Sequence, residues 1–131
     1  MQFVLGSLKS VEPSLVKLLK ADLPVVVSYK LSKLYDIIVQ EVNKMEELRK
    51  ALVIRYGEEV DNQVKVKPEC MRDFTNEYSE LLAATLDVDF SPISIGYLLN
   101  YNDKLERMEL PTINISAVDI SNLRGIGILE E

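Results

Sequence analysis

The feature that most constrains the fold of this chain is one long stretch without a helix breaker. From Ser28 the sequence SYKLSKLYDIIVQEVNKMEELRKALVIRY contains neither proline nor glycine, and the first breaker is Gly57. A helix over this stretch is about three times as long as the average globular helix. Apolar residues recur along it at steps of three and four for about seven turns, at Leu31, Leu34, Tyr35, Ile38, Val42, Met45, Leu48 and Leu52. The sequence predicts one long amphipathic helix with an apolar stripe that must be covered.

Local signals predict the ends of this helix and of the helix before it. A residue that precedes proline avoids the helical conformation, so the first helix must end before Pro24 and the long helix begins after it. Ser10 is the predicted N-cap of the first helix, with Pro13 in its first turn. Gly57 is predicted to end the long helix in the left-handed conformation. Upstream of Ser10, the alternation of Phe3 and Leu5 fits a short strand or an extended segment equally well.

A further helix is predicted after a turn at Asp61 and Asn62. It begins near Pro68 and carries an apolar face made of Met71, Phe74, Tyr78, Leu81, Leu82 and Leu86. We expect it to pack antiparallel against the first half of the long helix. Because it is the shorter of the two, the rest of the apolar stripe must be covered by the first helix or by another chain.

The spacing of apolar residues changes after position 86. Val88, Phe90, Ile93 and Ile95 alternate as in a strand, with a kink at Pro92. The polar segment NYNDKLERMELP follows, in which we expect at most a short helical turn. A capping box, with Ser116 followed by Asp119, then predicts a short helix over 117–123.

These elements predict a mainly α fold of the α+β class. It consists of a long antiparallel helical hairpin, a small β or irregular element and a short C-terminal helix. We expect a single helix-rich domain over 1–131, with a helical core at about 10–86 and a C-terminal strand and short-helix segment at 87–131.

The charge and the apolar pattern exclude several classes of partner and location. The net charge is -6 and the 15 basic residues are scattered among 21 acidic ones, which argues against nucleic acid as the main partner. No stretch is apolar over the roughly 18 residues that a membrane span needs. The first residues lack the basic start and cleavage site of a signal peptide, so we expect a protein that is not secreted. The single Cys70 agrees with a reducing compartment.

The side chains that support most catalytic sites are missing from this sequence. The chain has no histidine, so a Ser-His-Asp or Cys-His site is impossible and no catalytic residue is predicted. Asp87 and Asp89 form a D-x-D pair that could hold Mg²⁺ or Mn²⁺ in a metal-dependent enzyme, and they are the only metal candidates. The same alternation is typical of any half-exposed strand, which is the interpretation we favour. We expect no cofactor.

The order of these motifs resembles a group of small proteins of unknown function encoded by tailed bacteriophages and their prophages. In that group a long helix ends in a Tyr-Gly turn, and a polar loop, a second helix, a short strand and a terminal helix follow. The second helix has an F-x-x-E-x-x-E-L-L core, here Phe74, Glu77, Glu80, Leu81 and Leu82. The resemblance covers most of the chain from Pro24 onward, and the segment LLNYNDKLERMELPT departs from it. It implies a phage origin and a location in the host cytoplasm or the virion, but no activity.

Together these features predict a non-enzymatic protein that acts through protein contacts. The expected role is a minor structural or assembly component that forms a homo-oligomer or binds another phage protein. The alternative is an accessory inhibitor that binds a host defence or metabolic protein. The side chains expected at the helix–helix interface are Tyr35, Val42, Met45 and Leu52, and ordinary packing within the chain explains the same four residues equally well.

Overall fold

The computed structural model describes every residue from Met1 to Glu131 and is mainly α-helical. The strands are β1 (Gln2–Val4), β2 (Gly57–Val60), β3 (Gln63–Val66), β4 (Thr85–Asp87), β5 (Ile93–Ser94) and β6 (Leu129–Glu130). The α-helices are α1 (Leu5–Leu19), α2 (Val25–Tyr56), α3 (Met71–Ala83), α4 (Ile95–Arg107) and α5 (Ala117–Ile126), and a 3-10 turn over Pro68–Cys70 precedes α3. The predicted α+β class with a long helix packed against its neighbours is confirmed.

The long helix forms where the sequence predicts it. α2 begins at Val25, directly after Pro24, and runs for 32 residues, a length of about 48 Å. Proline ends the preceding segment because it disfavours the helical conformation of the residue before it. None of the five helices combines the length and the apolar character needed to cross a membrane.

The first helix begins earlier than predicted, so Ser10 is not its cap. α1 starts at Leu5, immediately after β1, and its N-cap residue Val4 makes no side-chain capping bond. Pro13 therefore lies inside the helix, on its exposed side, and the Ser10 hydroxyl donates to the carbonyl of Ser7 at 3.0 Å. The buried face explains the earlier start, because it continues at helical spacing through Leu5, Leu8, Val11, Leu15 and Leu18.

The predicted partner of the first half of α2 is wrong. α1 packs along the N-terminal half of α2, whereas α3 packs along the C-terminal half, where Glu77 approaches Arg55. Connectivity is the reason, since the loop between Leu19 and Val25 is short and folds α1 back onto the nearest half of α2. The β2–β3 hairpin at the other end of α2 folds α3 back in the same way.

Gly57 is required for close packing and not for a left-handed cap. Its backbone is extended, with φ -105° and ψ 171°, which any residue can adopt. A side chain at this position would collide with the Val53 carbonyl and the Val64 side chain. The predicted turn is confirmed, because Asp61 and Asn62 both have positive φ angles, 51° and 64°, and connect antiparallel β2 and β3.

The C-terminal third contains more helix than predicted. The polar segment predicted to contain at most a short helical turn forms the C-terminal part of α4, a helix of 13 residues that begins at Ile95 and is capped by the Ser94 hydroxyl. Of the four residues predicted to alternate in a strand, only Ile93 lies in one, β5, which pairs parallel with β6. The helix predicted to reach Leu86 ends at Ala83, and Leu86 lies instead in β4, which pairs with β1. Ser116 and Asp119 form the predicted capping box, but α5 continues to Ile126 and ends at Gly127, whose φ is 91°.

One hydrophobic cluster joins both ends of the chain. It contains buried residues of β1, α1 and the N-terminal half of α2 together with Leu123, Ile128 and Leu129 from the C-terminal segment. The last buried residue of α2 is Met45, and the next buried residue along the chain is Val88. No residue of 46–87 is buried. We call residues 46–83 the distal arm: the C-terminal half of α2, the β2–β3 hairpin and α3.

Candidate functional site

The four residues predicted for a protein interface have different environments. Met45 is part of the buried core, and Tyr35 and Val42 are half-buried and pack against that core. Leu52 lies in the distal arm, outside the core cluster. The first three therefore contact their own chain, and only Leu52 belongs to a surface where apolar side chains are incompletely covered. The interface itself stays a prediction.

The candidate metal residues Asp87 and Asp89 line an open groove of about 500 Å³ beside α2. Both are exposed and flank the buried Val88, as the alternation of the sequence predicts. Lys30 and Lys33 line the same groove. Two ammonium groups beside the carboxylates disfavour a cation there, and the chain contains no group of three His, Cys, Asp or Glu side chains that could hold a metal. The groove fits a solvated charged surface better than a metal site.

Asp119 is a buried carboxylate that ties α5 to α1. It accepts hydrogen bonds from the Ser14 hydroxyl at 2.8 Å and from the Lys17 ammonium at 2.8 Å, in addition to the Ser116 backbone and hydroxyl. These donors, Lys17 first, hold the pKa of Asp119 well below its usual value. Every contact is within the chain, which assigns this cluster to stability. The sequence indicated only the capping bonds, since Ser14 and Lys17 lie about a hundred positions away.

An incompletely covered apolar surface lies in the distal arm. A groove between α2 and α3, which we call the arm groove, has a volume of about 410 Å³ and opens to solvent. Its floor is formed by Leu48, Ala51, Leu52 and Leu81, and its edges by Arg55, Glu77 and Glu80. Leu48 is 44% exposed although it belongs to the apolar stripe.

The edges of the arm groove carry opposite charges. On the α2 side, Arg55 approaches Glu77 at 3.5 Å between its guanidinium and Oε1, and the arginine side chain remains 64% exposed. On the α3 side, the Glu77 Oε2 atom is removed from solvent and has no hydrogen-bond partner. The Glu77 carboxylate also raises the pKa of Tyr56 above its usual value. Glu80 adds a second carboxylate to the same edge.

α3 is amphipathic but has no buried residue. Its aromatic pair, Phe74 and Tyr78, is half-buried and stacks with ring centroids 5.9 Å apart. Met71 at its start is exposed, as are Val60 and Val64 on the neighbouring hairpin. An amphipathic helix normally places its apolar stripe against a core. α3 contacts α2 and, near Leu82, the start of α1, yet neither contact buries a side chain of α3 fully.

The distal arm is therefore less fully covered than the rest of the molecule, although the β2–β3 hairpin and α3 contact α2, and α1 contacts α3 near Leu82. In the proximal half of the molecule, α1 packs against both α2 and α5, and full burial results. A groove between two helices accepts the side-chain ridge of another helix. The arrangement suits the binding of an amphipathic helix in the arm groove. The sequence indicated an uncovered part of the stripe, and of the four residues named for it Leu52 lines this groove.

Comparison of the chain with protein-family models, with curated proteins and with solved structures finds no match. Its function is therefore inferred from its own residues, and the arm groove is the site that carries the inference.

Proposed function

We propose that this chain is a non-enzymatic protein that acts through protein–protein contacts of the distal arm, as a minor structural or assembly component of a bacteriophage. The observation that carries the contact role is the lack of any buried residue over 46–87, in a segment with apolar residues at helical spacing. The phage origin, with a location in the host cytoplasm or the virion, rests on the family resemblance of the sequence.

The energetics of the arm groove favour a partner with an apolar surface. Fully burying a leucine or methionine side chain stabilises a protein by about 1.5–3 kcal/mol. The side chains of the distal arm are only partly buried, so they contribute only part of this free energy. Association must also offset the loss of translational and rotational freedom, so several such residues must be covered together. The floor of the arm groove places Leu48, Leu52 and Leu81 side by side.

The charge of the molecule favours protein over nucleic acid as the partner. Nucleic-acid binding requires clustered lysine and arginine, whereas the net charge here is -6. The arm groove has one arginine and two glutamates at its edges. Charges of both signs around an apolar floor are typical of the rim of a protein interface.

The experiment that tests this function compares two matched substitutions on α2. Leu48→Glu places a charge on the arm groove, and Val26→Glu places the same charge at a position that is 65% exposed and lies outside the arm. Tagged wild-type and variant proteins are produced in phage-producing cells and captured by their tags. The proteins retained with them, and the purified virions, are examined by mass spectrometry. We expect the wild type and Val26→Glu to be retained with phage structural proteins and Leu48→Glu to be lost from them.

Other outcomes would contradict the proposal. If the wild type associates with no phage protein and is absent from virions, a structural or assembly role is wrong. If it instead retains a host defence or metabolic enzyme and lowers the activity of that enzyme, the accessory inhibitor is the better description. Circular dichroism of all three proteins ensures that a loss of binding does not reflect unfolding.

A further inference from the structure

We infer that the arm groove binds the arm groove of a second copy of this chain, with the two arms side by side and both β2–β3 hairpins at the same end. Each arm contributes the distal half of α2 and α3, so the pair forms a four-helix bundle. This inference rests on the proposed contact function, and it names the partner and the orientation in which that partner binds.

The layered structure of the distal arm favours a partner that is itself a helical pair. α2 and α3 contact each other, and the arm groove between them, lined by Leu52 and Leu81, opens to solvent. A second two-helix layer covers that open face over its whole width. Two such layers are the usual architecture of a four-helix bundle, in which helices pack nearly antiparallel around a shared core.

The charges at the edges of the arm groove fit a second copy. Arg55 lies on the α2 edge, whereas Glu77 and Glu80 lie on the α3 edge. A twofold axis parallel to the arms places α2 of each copy over α3 of the other, so that Arg55 faces the carboxylates of the second copy. A twofold axis perpendicular to the arms places α3 over α3, where the carboxylates repel each other. Charge complementarity therefore selects the orientation with both hairpins at one end.

Arg55 is free to make this contact. Its guanidinium lies 3.5 Å from the nearest Glu77 oxygen, longer than the 2.7–2.9 Å of a strong charged hydrogen bond, and its side chain is mostly exposed. An arginine has five donors, so it can contact Glu77 of its own chain and Glu80 of the second copy together. Since only part of each arm is covered, we expect a dimer that dissociates on dilution.

The first experiment measures molar mass by light scattering across a dilution series. We expect a concentration-dependent dimer for the wild type, and at least a tenfold weaker dimer for Arg55→Glu and for Glu80→Lys. The double variant restores opposite charges at positions 55 and 80 of the two copies while Glu77 is unchanged, so it should recover part of the affinity. Lys50→Glu is the control, because Lys50 is an exposed residue of α2 that does not line the arm groove.

The second experiment measures the orientation of the two arms. A spin label is attached to Glu59→Cys on β2, in a Cys70→Ser background, and the distance between the labels in the dimer is determined by pulsed electron resonance. Side-by-side arms place the labels about 20 Å apart, which is the width of two helix pairs. Arms in opposite directions place them about 40 Å apart, given the rise of helix and strand between Ala51 and Glu59.

The results separate this inference from the proposed function. Each of three results would overturn the inference that the arms pair. They are a strictly monomeric protein, widely separated labels, and a folded double variant that fails to recover affinity. None of these results alters retention with phage structural proteins, which tests the contact function by itself. A dimer with close labels and recovery in the double variant supports the inference.

Discussion

At the scale of single residues, the strongest polar constraint is Asp119. Its carboxylate receives the Lys17 ammonium and two serine hydroxyls, one from α1 and one from its own cap. A buried carboxylate is stable only when such donors replace the water it has lost. Because the donors come from α1 and the acceptor from α5, this residue fixes how the C-terminal helix lies on the core.

We predict that Asp119→Asn lowers the melting temperature by several degrees at pH 7, since the amide cannot pair with the charged Lys17. The pKa of Asp119 in the folded protein lies below the unfolded value of 3.8, so its contribution is present above about pH 4 and is lost as the pH falls further. The difference between wild type and variant should therefore shrink in acid. Thermal melts at several pH values measure this.

The control for this prediction is Asp36→Asn, which removes an exposed carboxylate of α2. It should leave the melting temperature nearly unchanged over the same pH range. An Asp119→Asn protein that melts like the wild type at pH 7 would show that the cluster does not stabilise the packing of α5 on α1.

At the scale of elements, α2 is one helix with two different environments. Leu31, Leu34 and Ile38 are buried in the core, whereas Leu52 is half-buried and lines the arm groove beside α3. Both halves have the same spacing of apolar residues. The difference arises because the proximal half belongs to the buried cluster around α1, whereas α3 and the β2–β3 hairpin cover the distal half incompletely.

We predict that equal truncations in the two halves of α2 have unequal costs. Leu34→Ala removes a fully packed side chain and should lower the free energy of unfolding by about 2–5 kcal/mol. Leu52→Ala removes a half-exposed side chain, so its cost should be less than half as large. Urea denaturation of the monomer at high dilution measures both values. Similar costs for the two variants would mean that the distal arm is packed as fully as the core.

At the scale of the whole molecule, the chain consists of a packed core and an arm that extends from it. The core combines residues from both ends of the sequence, including Phe3 and Leu129. The distal arm shares α2 with the core but contributes no buried residue of its own. Local stability follows the number of buried apolar contacts, so the two parts should open independently.

We predict that backbone amides of α3 exchange with deuterium at least tenfold faster than those of α1 in the monomer. The reason is that α3 contains no buried residue, whereas α1 contains six. Hydrogen exchange followed by mass spectrometry measures both helices in one experiment. Equal protection of the two helices in the monomer would contradict the prediction. If the arms pair, raising the protein concentration should slow exchange in α3.

Elements that depend on neighbouring residues could be predicted from the sequence. Pro24 places the start of α2, Asp61 and Asn62 form the predicted turn, and Ser116 caps α5 through Asp119. Each of these signals acts within about four residues through backbone sterics or a local hydrogen bond, so it is present in the sequence pattern. The periodicity of α2 is local in the same sense.

The surfaces that those elements cover could not be predicted without the folded structure. The stripe that contains Met45 and Leu52 looks uniform in sequence, yet Met45 is buried and Leu52 lies in the arm groove. The partners of Asp119 and the close packing around Gly57 were equally hidden from sequence analysis. Contacts of this kind join residues far apart in the chain, and they depend on the direction in which short loops turn the helices back on one another.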